Sequence, residues 1–162
     1  GIREKFGALH ERASRGELDK EWTATPQGRI ALIVVLDQFS RHVHRDTPRA
    51  FAQDPAAQRL ALAGVNQNTD RKLIPAQRSF FYLPFEHAEE LELQRLGVRC
   101  FDGLARMVAP ALRKEYESFF DYAQRHRDII ERFGRFPHRN KILGRASTPE
   151  EIEFLKQPGS SF

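Results

Sequence analysis

The amino-acid sequence predicts an all-α protein of stacked antiparallel helical hairpins around one buried central helix. Apolar residues recur at helical spacing along most of the 162-residue chain. Threonine or aspartate followed by proline marks several helix starts, because proline fits the first helical position. No stretch of alternating apolar and polar residues, as half-buried strands show, competes with this pattern.

The central helix is expected over residues 26–45. Thr25 can cap it and Pro26 can take its first position. It contains the apolar run Ile30 to Leu36, which has no polar face at either the helical or the strand period. We therefore expect other elements to cover this run on every side.

The remaining helices follow from the same signals. Pro75 and Pro84 bracket an aromatic segment, Phe80–Tyr82, that is too short and proline-bound for a central strand. Gly134 is the expected stop of the clearest amphipathic helix. The expected helices besides the central one are an amphipathic helix carrying Ile2, Phe6, Leu9 and Ala13, helices starting at Pro48 and Pro55, one from Glu86 to Val108, one from Pro110 to Phe133, a short turn from Pro137, and a last helix that Ser147 or Thr148 caps before Pro149.

Composition indicates a single soluble helical domain over residues 1–162. Hydrophobic residues make up 40% and charged residues 30%, which is ordinary for a globular protein. The single cysteine excludes an internal disulfide and any zinc site that needs several cysteines. No apolar run approaches the roughly 20 residues of a membrane span, and no signal peptide opens the chain, so we expect a cytoplasmic protein. Since Gly1 is followed at once by a helical pattern, we expect a native N-terminal segment to be missing.

Three blocks of the sequence resemble a known family. They are DQFSRHVHRDTPRAFAQD from Asp37, FFYLPFEHAEE from Phe80, and HRDIIERFGRFPHRNKILGRASTPEEIEFL from His126. They are similar to a bacterial family catalogued as a domain of unknown function. The resemblance implies a fold like stacked tetratricopeptide-type hairpins and implies no established activity. Family members read proline and asparagine where this chain has Ser40 and His42.

The block FGRFPHRN carries the strongest chemical pattern. It brings Arg135, His138, Arg139 and Asn140 to the start of the helix expected at Pro137, where free N–H groups favour an anion. A phosphate or carboxylate site is one interpretation, since arginine makes bidentate contacts with such groups. The other interpretation is a set of structural ion pairs with Asp37 and with the acidic stretch that begins at Glu86.

A second polar cluster follows the apolar run. Asp37, Gln38, Arg41 and His44 come directly after it, and an uninterrupted helix would put Asp37, Arg41 and His44 on one face. A buried aspartate beside an arginine suits ligand binding and equally suits the locking of two hairpins.

Glu86 and His87 are secondary candidates for ligand-binding residues. His87 and Glu90 face the same way on a helix, as metal ligands do, but no second histidine lies nearby at ligand spacing. A charged helix start accounts for these residues as well. We therefore expect no metal, no cofactor and no response of stability to chelators.

Two functions follow from these clusters. The first is a binding protein whose polar pocket takes a small anionic ligand or the carboxylate end of a peptide. The alternative is an enzyme that acts on an anionic substrate with His138 or His44 as general acid or base. Nucleic-acid binding fits less well, because the aromatic residues fall on core faces instead of alternating with an exposed basic stripe. The pattern predicts neither the ligand nor the oligomeric state.

Overall fold

The computed structural model describes residues 1–162, except for the side chain of Ile2. The expected contribution of Ile2 to the first helix face lies outside these described residues. The helices are α1 (Ile2–Ser14), α2 (Asp19–Trp22), α3 (Pro26–Val34), a π-helical turn (Val35–Phe39), α4 (Ser40–Val43), α5 (Asp54–Asn66), α6 (Pro75–Glu86), α7 (Leu91–Met107), α8 (Arg113–Phe133), α9 (Asn140–Leu143) and α10 (Pro149–Leu155), with short 3-10 turns at Pro48–Ala50, Asp70–Lys72, Pro110–Leu112 and Pro137–Arg139.

The fold class predicted from the sequence is confirmed. The part of the chain that the structure describes is helical and contains no strand. Helix α7 packs along both α6 and α8, and the short connections between them make these helices antiparallel neighbours. Among the described residues, no helix has the length and apolar character that a membrane crossing requires.

The central helix begins where the sequence predicts. The Thr25 hydroxyl accepts a hydrogen bond from the backbone N–H of Gly28 at 3.0 Å, and Pro26 occupies the first turn. Its apolar run is covered less completely than expected, since Ala31 is exposed and Val34 is only partly buried. The helix changes to a π-helical turn at Val35–Phe39 and ends at Val43.

The central helix lies between two apolar clusters, which fixes its orientation. Ile30 and Ile33 pack with the aromatic residues of α6 and α7, including Phe81. Leu32 and Leu36 pack with α1 and α5 on the other side. Because opposite faces of one helix fill different clusters, the polar residues after Leu36 emerge at a fixed position.

The proline signals had two outcomes: the aromatic segment is not a strand, as expected, whereas the helix expected at Pro48 is not an α-helix. The aromatic segment before Pro84 is part of a continuous helix, with Pro84 inside α6. Tertiary packing accounts for this, because Phe81 and Phe85 are both fully buried on the inner face of that helix. At Pro48 the expected helix is a single 3-10 turn, Pro48–Ala50.

Helix α7 runs without interruption through both of its glycines. A Cβ atom on Gly97 would lie 2.8 Å from the Cβ of Phe85, so glycine permits the close approach of α6 and α7. The stop at Gly134 is confirmed, with a left-handed φ of 73°. The last helix has the expected capping box between Thr148 and Glu151.

We expect Gly64→Ala to destabilise the fold by about 1–3 kcal/mol, because overpacking a filled core costs this much. A Cβ atom at Gly64 would lie 2.3 Å from Cζ of the fully buried Phe81 ring. Urea denaturation midpoints measure the effect. Gly103→Ala is the matched control: it is also helical, but no described atom lies within 4 Å of its new Cβ, so it should stabilise by roughly 0.5–1 kcal/mol. Equal midpoints for the two variants would contradict the packing argument.

Candidate functional site

A cavity of about 400 Å³ lies at the end of the central helix. Gln38 and Arg41 line it from the central helix, and Glu86 and His87 from the end of α6. The opposite wall comes from α8 and from the Pro137–Arg139 turn. The cavity therefore brings together polar residues from four separate parts of the chain.

The carboxylate of Asp37 lies behind this cavity and connects its walls. It is 1% exposed and accepts hydrogen bonds from Gln38 Nε2 at 2.5 Å and from His87 Nδ1 at 2.7 Å. Arg41 Nη1 lies 3.4 Å from the same carboxylate. Burial raises the pKa of Asp37, but His87, Arg41 and Gln38 together outweigh burial and hold the pKa below its ordinary value. The ionised Asp37 carboxylate accepts the hydrogen bond of His87 and thereby fixes the orientation of the His87 ring.

One carboxylate, that of Asp54, serves two arginines. Arg41 binds it in a bidentate manner, with N–O distances of 2.8 and 3.0 Å. Arg139 Nη1 lies 3.7 Å from the same group, which is too long for a hydrogen bond. Asp54 therefore neutralises Arg41 well and Arg139 only partly.

The guanidinium of Arg139 lies between two aromatic rings. Its central carbon is 4.5 Å from the ring centroid of Phe51 and 4.6 Å from that of Phe136. Nη2 donates to the backbone carbonyl of His87 at 3.0 Å, whereas the buried Nε has no partner among the described atoms. Burial, with the repulsion of Arg41 and Arg145, lowers the pKa of Arg139 to about 10. The rings thus position a cation whose charge is poorly compensated.

Four histidines line the cavity: His42 is exposed, and the three that are at least partly buried, His87, His126 and His138, differ in their hydrogen bonds. His87 donates from Nδ1 to Asp37, and His126 donates from Nδ1 to the carbonyl of Tyr122 at 2.8 Å, since both partners can only accept. In the neutral form of each ring, Nε2 therefore carries the lone pair. Burial lowers the pKa of His126 to about 3 and that of His138 to about 4, so these two rings are neutral at physiological pH.

Glu86 is the buried acid of the cavity wall. It is 4% exposed, and its side chain makes no hydrogen bond or ion pair with the residues that the structure describes. Burial raises its pKa to about 8, and the charge of Asp37 acts in the same direction. At neutral pH the Glu86 carboxyl is mostly protonated, so it can donate a hydrogen bond into the cavity.

A larger depression of about 590 Å³ lies between α7 and α8. Its lining consists mostly of solvated charged side chains such as Arg106, Arg113 and Glu117. We place the candidate site in the smaller cavity, because its lining combines two buried nitrogens without partners, His138 Nδ1 and Arg139 Nε, with the buried acid Glu86.

Comparison with known proteins places the chain in a family. A bacterial family described as protein of unknown function, DUF924, matches residues 1–159. The chain belongs to this family. A solved structure of a protein of unknown function from Agrobacterium tumefaciens is 38% identical, with a TM-score of 0.80, over 95% of this chain and 81% of that chain. No curated protein matches the sequence.

In this DUF924 chain, the FGRFPHRN block divides between the cavity and a structural network. His138 and Arg139 line the cavity. Arg135 instead binds Glu151 with N–O distances of 2.9 and 2.7 Å, and Asn140 hydrogen-bonds to Ser147 at 3.0 Å. Arg135 and Asn140 thus take the clamp role that the sequence left open, although with a different partner.

The anion site that the sequence predicts at a helix N-terminus does not form in the expected way. The turn Pro137–Arg139 is 3-10 helix and leads only into the four-residue α9, which Gly144 ends in a left-handed conformation. A helix this short contributes little dipole. Any anion binding here depends on the side chains.

His44 lies apart from Asp37 and Arg41, contrary to the expected shared face. The π-helical turn Val35–Phe39 contains one residue more than an α-helical turn, which changes the direction of the side chains that follow, and the helix ends at Val43. His44 consequently faces α1, with its ring centroid 5.2 Å from that of His10. Gln38 and Arg41 remain at the cavity.

Several site residues were not identified from the sequence. No sequence pattern singled out Phe51 or His126, and the Asp54-Pro55 pair indicated only a helix start. The His126 ring is hydrogen-bonded to the carbonyl of Tyr122 and also lines the cavity. The signal that links these residues is their membership of the blocks that resemble the family.

The cavity itself offers no compact metal site. Among the described residues, the group of three ligand atoms that lie within 4.8 Å of one another is formed elsewhere, by His10, Glu11 and His44. The cavity groups are better suited to binding an anion or moving a proton.

We expect the ion pair of Glu151 with Arg135 to make stability depend on acid pH. The hydrogen bond from Arg135 lowers the pKa of Glu151 from 4.5 to about 2. A lowered folded-state pKa contributes stability that is present above pH 4.5 and is lost as the pH falls toward 2. Urea midpoints across this range should fall less steeply in Glu151→Gln, which also starts from a lower midpoint at neutral pH. Glu150→Gln, which changes an exposed neighbour paired with Arg132, should retain the wild-type slope.

Proposed function

We propose that this protein is a cytoplasmic helical binding protein whose cavity takes a small anionic ligand or the carboxylate end of a peptide. The observation that carries the proposal is Arg139, a buried cation held between Phe51 and Phe136 with only a distant carboxylate partner. A buried, incompletely paired charge is unfavourable, and a bound anion would relieve that cost.

The rest of the cavity supports the same ligand class. Arg45 lines it and forms no ion pair with the described residues, so it adds a positive charge beside the exposed carboxylate of Asp46, which also lines the cavity. The protonated Glu86 and the amide of Gln38 offer hydrogen-bond donors. A volume of about 400 Å³ suits a small metabolite.

The aromatic side chains of the cavity wall restrict the class of ligand further. Phe51, Phe136, Tyr122 and Phe162 line the cavity together with the charged groups. We infer that the ligand joins an anionic group to an apolar or planar part. We further propose that the helical hairpins follow a tetratricopeptide-like arrangement, in which the ends of successive hairpins build such a pocket.

We expect phenyl phosphate or benzoate to bind the protein more tightly than benzamide, which has a similar shape without the charge. Arg139→Gln and Arg45→Gln should each weaken anion binding by about tenfold or more, since a hydrogen bond to a charged group contributes roughly 1.5–3 kcal/mol. Calorimetric titration measures the affinities. Because Arg45 is exposed, its variant tests the site without endangering the fold.

Arg135→Gln is the matched control for this titration. Arg135 belongs to the same sequence block as Arg139 but binds Glu151 outside the cavity. Its variant should bind the anions as the wild type does. Equal binding of benzamide, or equal losses in all three variants, would exclude the proposed anion site.

The dyad of His87 and Asp37 favours an enzyme as the second candidate function. His87 Nδ1 donates to the buried Asp37, so in the neutral ring Nε2 has a lone pair, and this nitrogen makes no hydrogen bond with the described residues. A histidine oriented in this way can accept a proton from water or from a substrate. His44 lies outside the cavity, and His138, with a pKa of about 4, is a weaker base.

For this candidate we expect His87→Gln to lower turnover at least 100-fold while anion binding persists, because general-base catalysis typically contributes 10²–10⁴-fold. The ligands that raise the melting temperature would be incubated with the protein and examined for chemical change by mass spectrometry. His42→Gln serves as the comparison, because it changes an exposed histidine of the same cavity lining that is not paired with a buried carboxylate. Turnover that persists in His87→Gln would rule out this base.

A further inference from the structure

A second polar cluster lies on the opposite side of the central helix end, against α1. It contains His10, Glu11 and His44, none of which lines the 400 Å³ cavity. His10 is 2% exposed and His44 is 8% exposed, while Glu11 is partly exposed. One nitrogen or oxygen atom from each residue lies within 4.8 Å of the corresponding atoms of the other two.

The hydrogen bonds of His10 assign its tautomer. Ser40 Oγ donates to the carbonyl of Leu36 at 2.5 Å, so it accepts from His10 Nε2 at 2.7 Å. The Ser14 hydroxyl, 3.5 Å from Nδ1, donates to the backbone carbonyl of His10. His10 Nδ1 therefore has a lone pair that receives no hydrogen bond from either serine.

His44 has an unpartnered nitrogen as well. Its Nε2 is buried and has no hydrogen-bond partner among the described atoms. A buried polar nitrogen without a partner is unfavourable unless another group binds it.

We propose that His10, Glu11 and His44 bind a divalent transition-metal ion, with Zn²⁺ as the best-matched ion. Two imidazoles and one carboxylate are a common three-ligand set for Zn²⁺, and water completes the tetrahedron. The hydrogen bond from His10 Nε2 to Ser40 Oγ orients the ring, as outer partners of ligating histidines usually do.

Binding requires modest rearrangement. The three ligand atoms lie within 4.8 Å of one another, and metal–ligand bonds of about 2 Å require them to come closer together. Rotation of the Glu11 side chain can bring its carboxylate toward the two rings. Arg49 Nη2 lies 3.0 Å from Glu11 Oε1, and this pair is largely exposed, so the ion competes with a weak contact.

The site departs from the expectation of no metal. That expectation depended on ligand spacing along the sequence, whereas His10 lies in α1 and His44 directly follows the central helix, so that they meet only in the fold. An ion held there would tie α1 to the end of the central helix. It would stabilise the native state through mass action.

Titration of the chelator-treated protein with Co²⁺ and Zn²⁺ tests the proposal. We expect one ion per chain, followed by Co²⁺ absorption in the visible range and by calorimetry for Zn²⁺. His44→Gln and Glu11→Gln should each weaken binding at least tenfold, as loss of a ligand from a three-ligand site does. Glu11 is partly exposed, so its variant remains informative if a histidine variant fails to fold.

His42→Gln is the matched control, since His42 is exposed and lies two positions before His44. It should bind both ions as the wild type does. Zn²⁺ should also raise the melting temperature of the wild type and of His42→Gln by several degrees, but not that of Glu11→Gln. Absence of stoichiometric Co²⁺ binding, or equal binding by His44→Gln and the wild type, would overturn the proposal.

Discussion

The burial of the Asp37 carboxylate is the constraint on which the cavity depends. A charged group removed from water costs several kcal/mol unless partners satisfy it, so the fold must bring those partners to a fixed place. His87, Gln38 and Arg41 do so here. Because His87 follows α6 directly, this one requirement holds the end of α6 against the central helix.

The arginines show how the same network leaves capacity for a ligand. Asp54 saturates Arg41 with two short hydrogen bonds but stays 3.7 Å from Arg139. Phe51 and Phe136 fix Arg139 by stacking, which positions the guanidinium without neutralising it. An anion-binding site needs this combination of rigidity and unpaired charge, since a fully paired arginine has no free hydrogen-bond donor for a ligand.

The end of the central helix presents different chemistry on its two sides. The π-helical turn directs Gln38 and Arg41 to the cavity and sends His44 toward α1. π-helical turns occur often at functional sites, because the extra residue re-aims the side chains that follow. In this protein one such turn separates the candidate anion site from the candidate metal site.

Caps, prolines and helical periodicity are local properties, so the sequence was enough to predict the helical class, the start of the central helix at Pro26 and the stop at Gly134. The sequence also singled out Asp37, Arg41, His87 and Arg139, which lie beside clear helix boundaries or in the blocks that resemble the family.

Which arginine faces the cavity depends on the tertiary structure. Arg135 and Arg139 are four residues apart, yet Arg135 binds Glu151 and Arg139 lies between two phenyl rings. The tertiary structure also decided that Pro84 stays inside a helix and that His44 meets His10, since both outcomes depend on burial against distant residues. Such contacts have no local signature, because the partners are brought together only by the packing of the whole core.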